Sequence, residues 1–413
     1  MDWWDYDPDL SAKAKPESTV LLQCAIRAFT SVVSRPKLST VQAGLLLLQR
    51  SRGGSWVMTG QVLAVAEELG LHLDCSLWTI PEWEKGLRRR LAWAVIMQDL
   101  WGAFLYGRPS HVSLQNWQAN RVTLHDFPET AADQDDKDGS TEVEKGRQLF
   151  IHLAALTEIL SEVLKFCTQV DLQPDIQLED VLQLAKPLVM QMRDWKANMP
   201  AGLDIDDLTP RKLCSNGYLH LSFFALQILV HRRIVRSIQP HSSRNVVSLC
   251  RDAAKARLDH AVAFIAQLRP EHLHAFWWFA AVESVVLIGT FAASLWSSSA
   301  VPEEADLLKT KLEEFKWDLK IRSKGVNFVT AAVQELDRSL PPLDSINKSY
   351  KIGGTNYPED GQSSYASPGL GQETPGQFEF DFGAFDDAFT PFSIGQESGF
   401  ASFPSKTFSK DDG

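Results

Sequence analysis

The sequence lacks the spacings that metal and cofactor chemistry require. Its five cysteines stand at positions 24, 75, 167, 214 and 250. A tetrahedral zinc site draws its ligands in close pairs such as Cys-x2-Cys, so that four reach one ion at low loop cost. Cysteines tens of residues apart do not supply one. The odd count gives no disulfide framework, and isolated buried thiols in a reducing compartment are expected. There is no Gly-rich phosphate loop, no His-Glu-x-x-His and no Gly-x-Ser-x-Gly. No catalytic residue, cofactor or metal site is expected, and the chain does not read as an enzyme. Positive charge is also short: 41 Lys and Arg against 52 Asp and Glu leave a net charge of −11. With no basic arm to offset this, the chain is not expected to bind nucleic acid by itself. The N-terminal MDWWDYDPDL is acidic and aromatic, without a signal or transit pattern.

Long apolar runs are scarce too. The stretch 273–296 approaches the roughly 20 apolar residues of a membrane span. Glu283 lies near its centre, where an acidic group costs roughly 2.5–3.5 kcal/mol on insertion scales. A buried helix of a large α-domain is the better reading, and no membrane is expected. Phe276, Trp277, Trp278 and Phe279 then belong to the core, or, as the minority reading, to the wall of a small-molecule cavity.

What is present is helical periodicity, and the fold class read from it is all-α. The 413 residues with 44% apolar content suggest one large multi-helix domain or two smaller ones. A first helix covers 20–33, and Arg35-Pro36 breaks it. A second, capped by Ser39, carries Val41, Leu45 and Leu48 on one side and Leu46 and Leu47 on the other, so it is expected to be buried on most faces. After 109 the acidic, aperiodic 129–140 reads as a surface excursion. Helices follow at 141–166, at 178–199 with Pro187 inside, at 213–238, at 246–268, and at 303–319 and 323–340. His231, with no other ligand-type residue beside it, reads as a capping or surface residue.

The most informative stretch is 55–109. Val62, Val65, Ala66 and Leu69 make one helical face, and Gly70 stands where a helix turns left-handed and stops. Thr79 and Glu82 form a capping-box pattern with Pro81 between them. The second helix runs to Tyr106, with Trp83, Leu87, Leu91, Ala94, Val95 and Trp101 as apolar positions and Gly107 and Pro109 as stops. Asp99 lies in an apolar neighbourhood, and a buried carboxylate needs a cation or several donors. Arg108 is the nearest cation, so an Asp99–Arg108 pair is expected. Arg88, Arg89 and Arg90 point about 100° apart and form no flat basic face; a solvated and salt-bridged flank with Glu82, Glu84 and Lys85 is expected.

These residues carry a resemblance. Leu69-Gly70-Leu71-His72-x-Asp74, Glu84, Arg88-Arg89-Arg90, Trp93, Asp99 and Gly107-Arg108-Pro109 resemble the fungal-specific transcription factor domain, the middle homology region of fungal binuclear zinc-cluster regulators. Ala92 departs from the family's second Trp, and Leu100 from the Arg that follows the Asp. The resemblance is strong over 38–127 and weaker to about 341. It implies a regulatory domain over 1–345 that controls transcription by RNA polymerase II, resides in the nucleus, dimerises with a like or unlike chain and answers to a small-molecule effector. The family's zinc cluster needs six cysteines within about 30 residues, which these five do not provide. DNA is then reached only through a missing N-terminal module or a partner. The alternative is an α-helical small-molecule-binding or lipid-binding protein or enzyme.

From 346 to 413 the helical stripe ends and Gly, Ser, Pro, Gln and Asp dominate, as in a disordered tail. Phe378, Phe380, Phe382, Phe385, Phe389 and Phe392 alternate there with Glu379, Asp381, Asp386 and Asp387. Acidic neighbours keep such rings solvated and free to dock in a partner's groove. This is the composition of an acidic activation segment, and transcription machinery or a coactivator is its expected partner.

Overall fold

A computed structural model describes residues 9–50, 55–128, 143–208 and 212–340. The acidic stretch 129–140 and the tail with its phenylalanines lie outside the described residues. Every regular element among the described residues is a helix: α1 (Ser18–Val32), α2 (Leu38–Leu48), α3 (Ser55–Glu68), α4 (Glu82–Tyr106), α5 (Val143–Asp171), α6 (Leu178–Ala197), α7 (Asn216–Arg236), α8 (Arg244–Gln267), α9 (Pro270–Leu273), α10 (Ala281–Ser297), α11 (Pro302–Arg322) and α12 (Asn327–Ser339). The all-α class expected from the periodicity is the one observed.

The packing runs from one end of the chain to the other. α1 lies on α2, α2 on α3 and α4, and α3 on α4. α5 joins this end to the next by touching α4, α6 and α7, while α10 packs on α7, α8, α11 and α12. Trp101 of α4 is fully buried at the junction. Its indole N–H donates to Thr157 Oγ1 of α5 at 2.9 Å, and its ring meets Trp278 edge-on at 5.1 Å. An indole is buried without penalty only when its N–H finds such an acceptor.

The apolar stretch 273–296 is not one helix. α9 stops at Leu273, and α10 starts at Ala281. The aromatic residues between them turn to different neighbours: Trp277 stacks on Phe328 of α12 at 4.1 Å and donates its N–H to the His272 carbonyl at 2.9 Å, while Trp278 goes to Trp101. Phe276 is 56% exposed. Helical spacing does not direct consecutive rings to those targets, so the backbone opens. No helix among the described residues is long and apolar enough to cross a membrane.

Three burial expectations are corrected. His231 is neither a cap nor a surface residue; it is 3% exposed inside α7. α2 is not buried on most faces: Gln42, Ala43 and Leu46 are exposed, Leu46 to 71%, because α1, α3 and α4 leave that side uncovered. Cys24 is exposed, whereas Cys75, Cys214 and Cys250 are buried as expected.

Candidate functional site

α4 is about 38 Å long at 1.5 Å per residue, and the residues that carry the family resemblance lie along it in two groups. It opens after Pro81 without a side-chain cap. The expected Thr79–Glu82 box does not form, since Glu82 turns to Lys85 at 2.8 Å. Glu82 and Glu84 still place negative charge in the first turn, where the helix dipole favours it. Trp83, expected on the apolar face, is 68% exposed. The helix ends at Gly107, whose φ of 59° is left-handed, and the Arg108 amide closes the end on the Ala103 carbonyl at 3.0 Å. The chain then reverses, and residues 108–128 return along α4 as a strap.

The first fastening of the strap is Asp99, which has no exposed surface. Its Oδ2 accepts the Ser110 hydroxyl at 2.5 Å and the Val112 amide at 3.0 Å, and its Oδ1 meets His111 Nδ1 at 2.7 Å. The expected Asp99–Arg108 pair is therefore wrong: Arg108 and Pro109 point outward and are exposed. Three local donors satisfy the carboxylate, so no guanidinium has to be desolvated. The His111 ring also stacks on Trp56 of α3 at 4.4 Å. Sequence reasoning missed His111, Ser110 and Val112. The signal available was a buried carboxylate followed by a chain reversal, which brings the residues just past Gly107 back over it.

Midway, the strap is sewn to the loop after α3. Gly70 has a φ of 69° and ends α3. The His72 carbonyl accepts the Gln118 amide at 2.8 Å, and its ring sits edge-on to Trp117 at 6.3 Å. Asp74 Oδ1 accepts the Ser76 hydroxyl at 2.6 Å, the Ser76 backbone amide at 2.9 Å and the Asn120 side-chain Nδ2–H at 3.0 Å. The donors from Ser76 hold its carboxyl below the usual range. Trp93 of α4 donates its indole N–H to the Asn120 carbonyl at 3.0 Å.

The arginine run makes the third fastening; the expected ion pairing forms at Glu84, while the expected solvation is corrected. Each guanidinium is partly buried and engages a different element. Arg88 pairs with Glu84 at 2.9 Å, donates to the Leu69 carbonyl at the end of α3 at 3.0 Å, and lies over Trp78. Arg89 reaches Asp126 Oδ1 at 2.7 Å and Ser76 Oγ at 3.0 Å. That contact with Asp126 raises its proton affinity further. Arg90 lies over Phe127, 5.3 Å from the ring centre, and burial lowers its proton affinity. The 3₁₀ turn Leu124–Asp126 approaches so closely that a Cβ on Gly86 would stand 2.6 Å from the Asp126 carbonyl oxygen. Asp126 Oδ2 in turn accepts the Thr123 amide and hydroxyl at 2.8 and 3.0 Å. Arg121 makes a two-point pair with Glu158 of α5 at 2.6 and 2.7 Å.

The chemistry of this assembly is mechanical. Ser110, His111 and Asp99 do not form a nucleophilic triad, because Ser110 donates to the carboxylate and not to the imidazole; a triad needs the hydroxyl on the base. Among the described residues no three His, Cys, Asp or Glu side chains converge to hold a metal ion. The structure brings Gly70, His72, Asp74, Arg88 and Arg89 together around the α3–α4 loop, while Arg90 turns to Phe127 of the strap. It places Asp99, Gly107, Arg108 and Pro109 at the far end of α4.

Comparison with known proteins agrees with the motif reading. Residues 8–197, which cover α1 to α6, match the family model described as the fungal specific transcription factor domain. The transcriptional activator protein DAL81 of Saccharomyces cerevisiae is 37% identical, over 81% of this chain and 38% of its own length. A transcriptional regulatory protein of Schizosaccharomyces pombe is 31% identical over 19% of this chain and 13% of its own. The pyriculol/pyriculariol biosynthesis cluster transcription factor 1 of Pyricularia oryzae is 28% identical over 26% and 16%. The chain thus spans well under half of the length of these relatives. No solved structure matches it. All three relatives are named as transcription regulators. Residues 8–197 thus carry the fungal specific transcription factor domain.

Proposed function

We propose that this chain is the regulatory portion of a nuclear transcriptional activator, that it reaches DNA through another module or a partner, and that the segment 376–393 recruits transcription machinery. The observation that carries the reading is the inward use of the arginine run. Arg88, Arg89 and Arg90 are spent on Leu69, Glu84, Asp126, Ser76 and the Phe127 ring. Phosphate binding needs several bases on one open face, and the motif does not offer one. The domain is built to hold a shape for protein contacts. The proposal includes dimer formation and control by a small-molecule effector. The DAL81 relative is named an activator, which favours activation over repression. The alternative, a lipid or small-molecule cavity walled by Trp277 and Trp278, loses support because those rings pack on Phe328 and Trp101.

Two measurements test the proposal. Fused to an unrelated DNA-binding domain, residues 376–393 should activate a reporter. Changing Phe380, Phe382, Phe385 and Phe389 to Ala should abolish that activity with charge unchanged. A silent wild-type fusion, or indifference to the Phe changes, removes the activation reading. In a gel-shift assay at physiological salt, the purified chain alone should select no DNA site; site-specific binding removes the indirect-DNA reading.

A further inference from the structure

α1 and α2 enclose an open groove of about 730 Å³. Leu22, Phe29 and Leu46 contribute apolar lining, and Arg35, Lys37 and Arg50 also line it. Beside it Val20, Leu21 and Ile26 are exposed on α1. The charge here is opposite to that of the whole chain. From Ser18 to Arg50 the charged residues are Arg27, Arg35, Lys37 and Arg50, with no Asp or Glu among them, in a chain of net charge −11. An apolar trough with a cationic rim fits an acidic segment that presents aromatic side chains.

The chain contains such a segment. Residues 376–393 hold Phe378, Phe380, Phe382, Phe385, Phe389 and Phe392 with Glu379, Asp381, Asp386 and Asp387, and no Lys or Arg. Roughly 36 residues separate it from Leu340, the last described residue. Fully extended, that length reaches on the order of 120 Å. A domain of this size has a radius of gyration of about 20 Å, so the segment can reach any face of it. Tethering raises its effective concentration at the groove to the millimolar range.

We infer that the acidic phenylalanine segment 376–393 docks in the α1–α2 groove of its own chain, so that its rings are covered until a partner displaces them. The contact is a property of the chain whether or not the segment activates transcription, and it is tested by a physical readout separate from any reporter. The full chain is made with benzoylphenylalanine in place of Phe382, with the same probe at Phe403 as a control outside the segment. After illumination, cross-linked peptides are mapped by mass spectrometry, using a mixture of isotopically light and heavy chains.

The expected result is a light–light and heavy–heavy cross-link from position 382 to residues 22–50, absent from position 403. The triple variant Arg35→Glu, Lys37→Glu, Arg50→Glu should lower its yield at least about fivefold, since three rim attractions become repulsions. These side chains are exposed, and an unchanged melting temperature checks that the fold survives. Should the variant not fold, the wild-type yield should still drop as salt rises from about 0.05 to about 0.5 M, because rim charges are screened. Cross-links elsewhere, none above the 403 control, or mixed light–heavy products that place a second copy in the groove each overturn the inference. So does a probe at Trp4 that fills the groove while 382 does not, since the N-terminal MDWWDYDPDL is also acidic and aromatic.

Discussion

The carboxylate of Asp99 is held by the imidazole of His111, 2.7 Å away, with Ser110 and Val112 completing its shell. A buried side chain about two turns before the end of α4 is therefore the anchor of the strap that leaves the helix. Asp99→Ala strips an acceptor from three donors, one of them the buried Val112 amide. The Val112 amide keeps only the Ser110 hydroxyl at 3.1 Å and the His111 ring loses its acceptor; weakening buried donors in this way costs about 1–3 kcal/mol, the loss expected in urea unfolding. Arg108→Ala should change stability by less than about 0.5 kcal/mol, as an exposed surface residue does. Equal losses in the two variants would restore the Asp99–Arg108 pair.

Arg89 should behave as a fastening and not as a nucleic-acid contact. Arg89→Ala leaves the Asp126 carboxylate, which is largely buried, without its cation. A loss of about 1–3 kcal/mol is expected. Hydrogen exchange should rise across residues 117–128 while α10 to α12 stay protected. Arg89→Lys should recover part of the loss, because an ammonium can meet Asp126 but cannot also fork to Ser76. Uniform loosening of the whole domain would show that the strap is not a separable unit.

Gly86 tests the close approach of strap and helix. In a helix interior Ala is usually more stable than Gly by about 1 kcal/mol. Here the added methyl would meet backbone 2.6 Å away, and backbone does not move as a flexible side chain does. Gly86→Ala is expected to cost about 1–3 kcal/mol net, as overpacked sites do. A stabilised variant in thermal melts would mean that the 124–126 turn has room to move.

Much of this was legible in the sequence, and the failures have a common cause. Helix positions followed from apolar periodicity, and the stops at Gly70 and Gly107 followed from their left-handed preference. The need of Asp99 for partners was also legible. Its partners were not, because they depend on where an aperiodic strap returns. The arginine run shows the same limit. Helical spacing correctly sends Arg88, Arg89 and Arg90 in three directions, but only the returning 120–127 segment decides that Arg89 and Arg90 meet protein. The stretch 273–296 failed for another reason. Its composition favours helix throughout, yet tertiary contacts with Trp101 and Phe328 outweigh propensity over four aromatic residues. His231 failed because its neighbours in sequence, Arg232 and Arg233, suggested a surface that the packing of α7 contradicts.

The last prediction concerns acid. His220 and His231 are both buried in α7. Burial pushes His220 down to about 4, with the nearby Lys196 acting in the same direction. Its Nε2–H donates to the Leu203 carbonyl at 2.9 Å, which fits a neutral ring. Burial pushes His231 down to about 3, with Arg257 adding to the effect. In the unfolded chain both titrate near the ordinary value of 6.5. Above that value neither state is protonated, and the two residues have no effect on stability with pH. Below it the unfolded chain binds protons that the folded chain refuses, so stability falls as pH falls. The window runs from about 6.5 down to about 4 for His220 and about 3 for His231, with a slope of roughly 1.4 kcal/mol per pH unit for each. Moving from pH 7 to pH 5 should thus lower the urea midpoint strongly, before most carboxylates protonate. His231→Gln keeps similar bulk and removes one titrating group, so the same pH change should cost it less, though not nothing, since burial also lowers His152, His220, His260 and His272. An unfolding midpoint flat between pH 7 and pH 5 in the wild type would mean that water or a rearranged neighbour already accommodates the charged imidazoles.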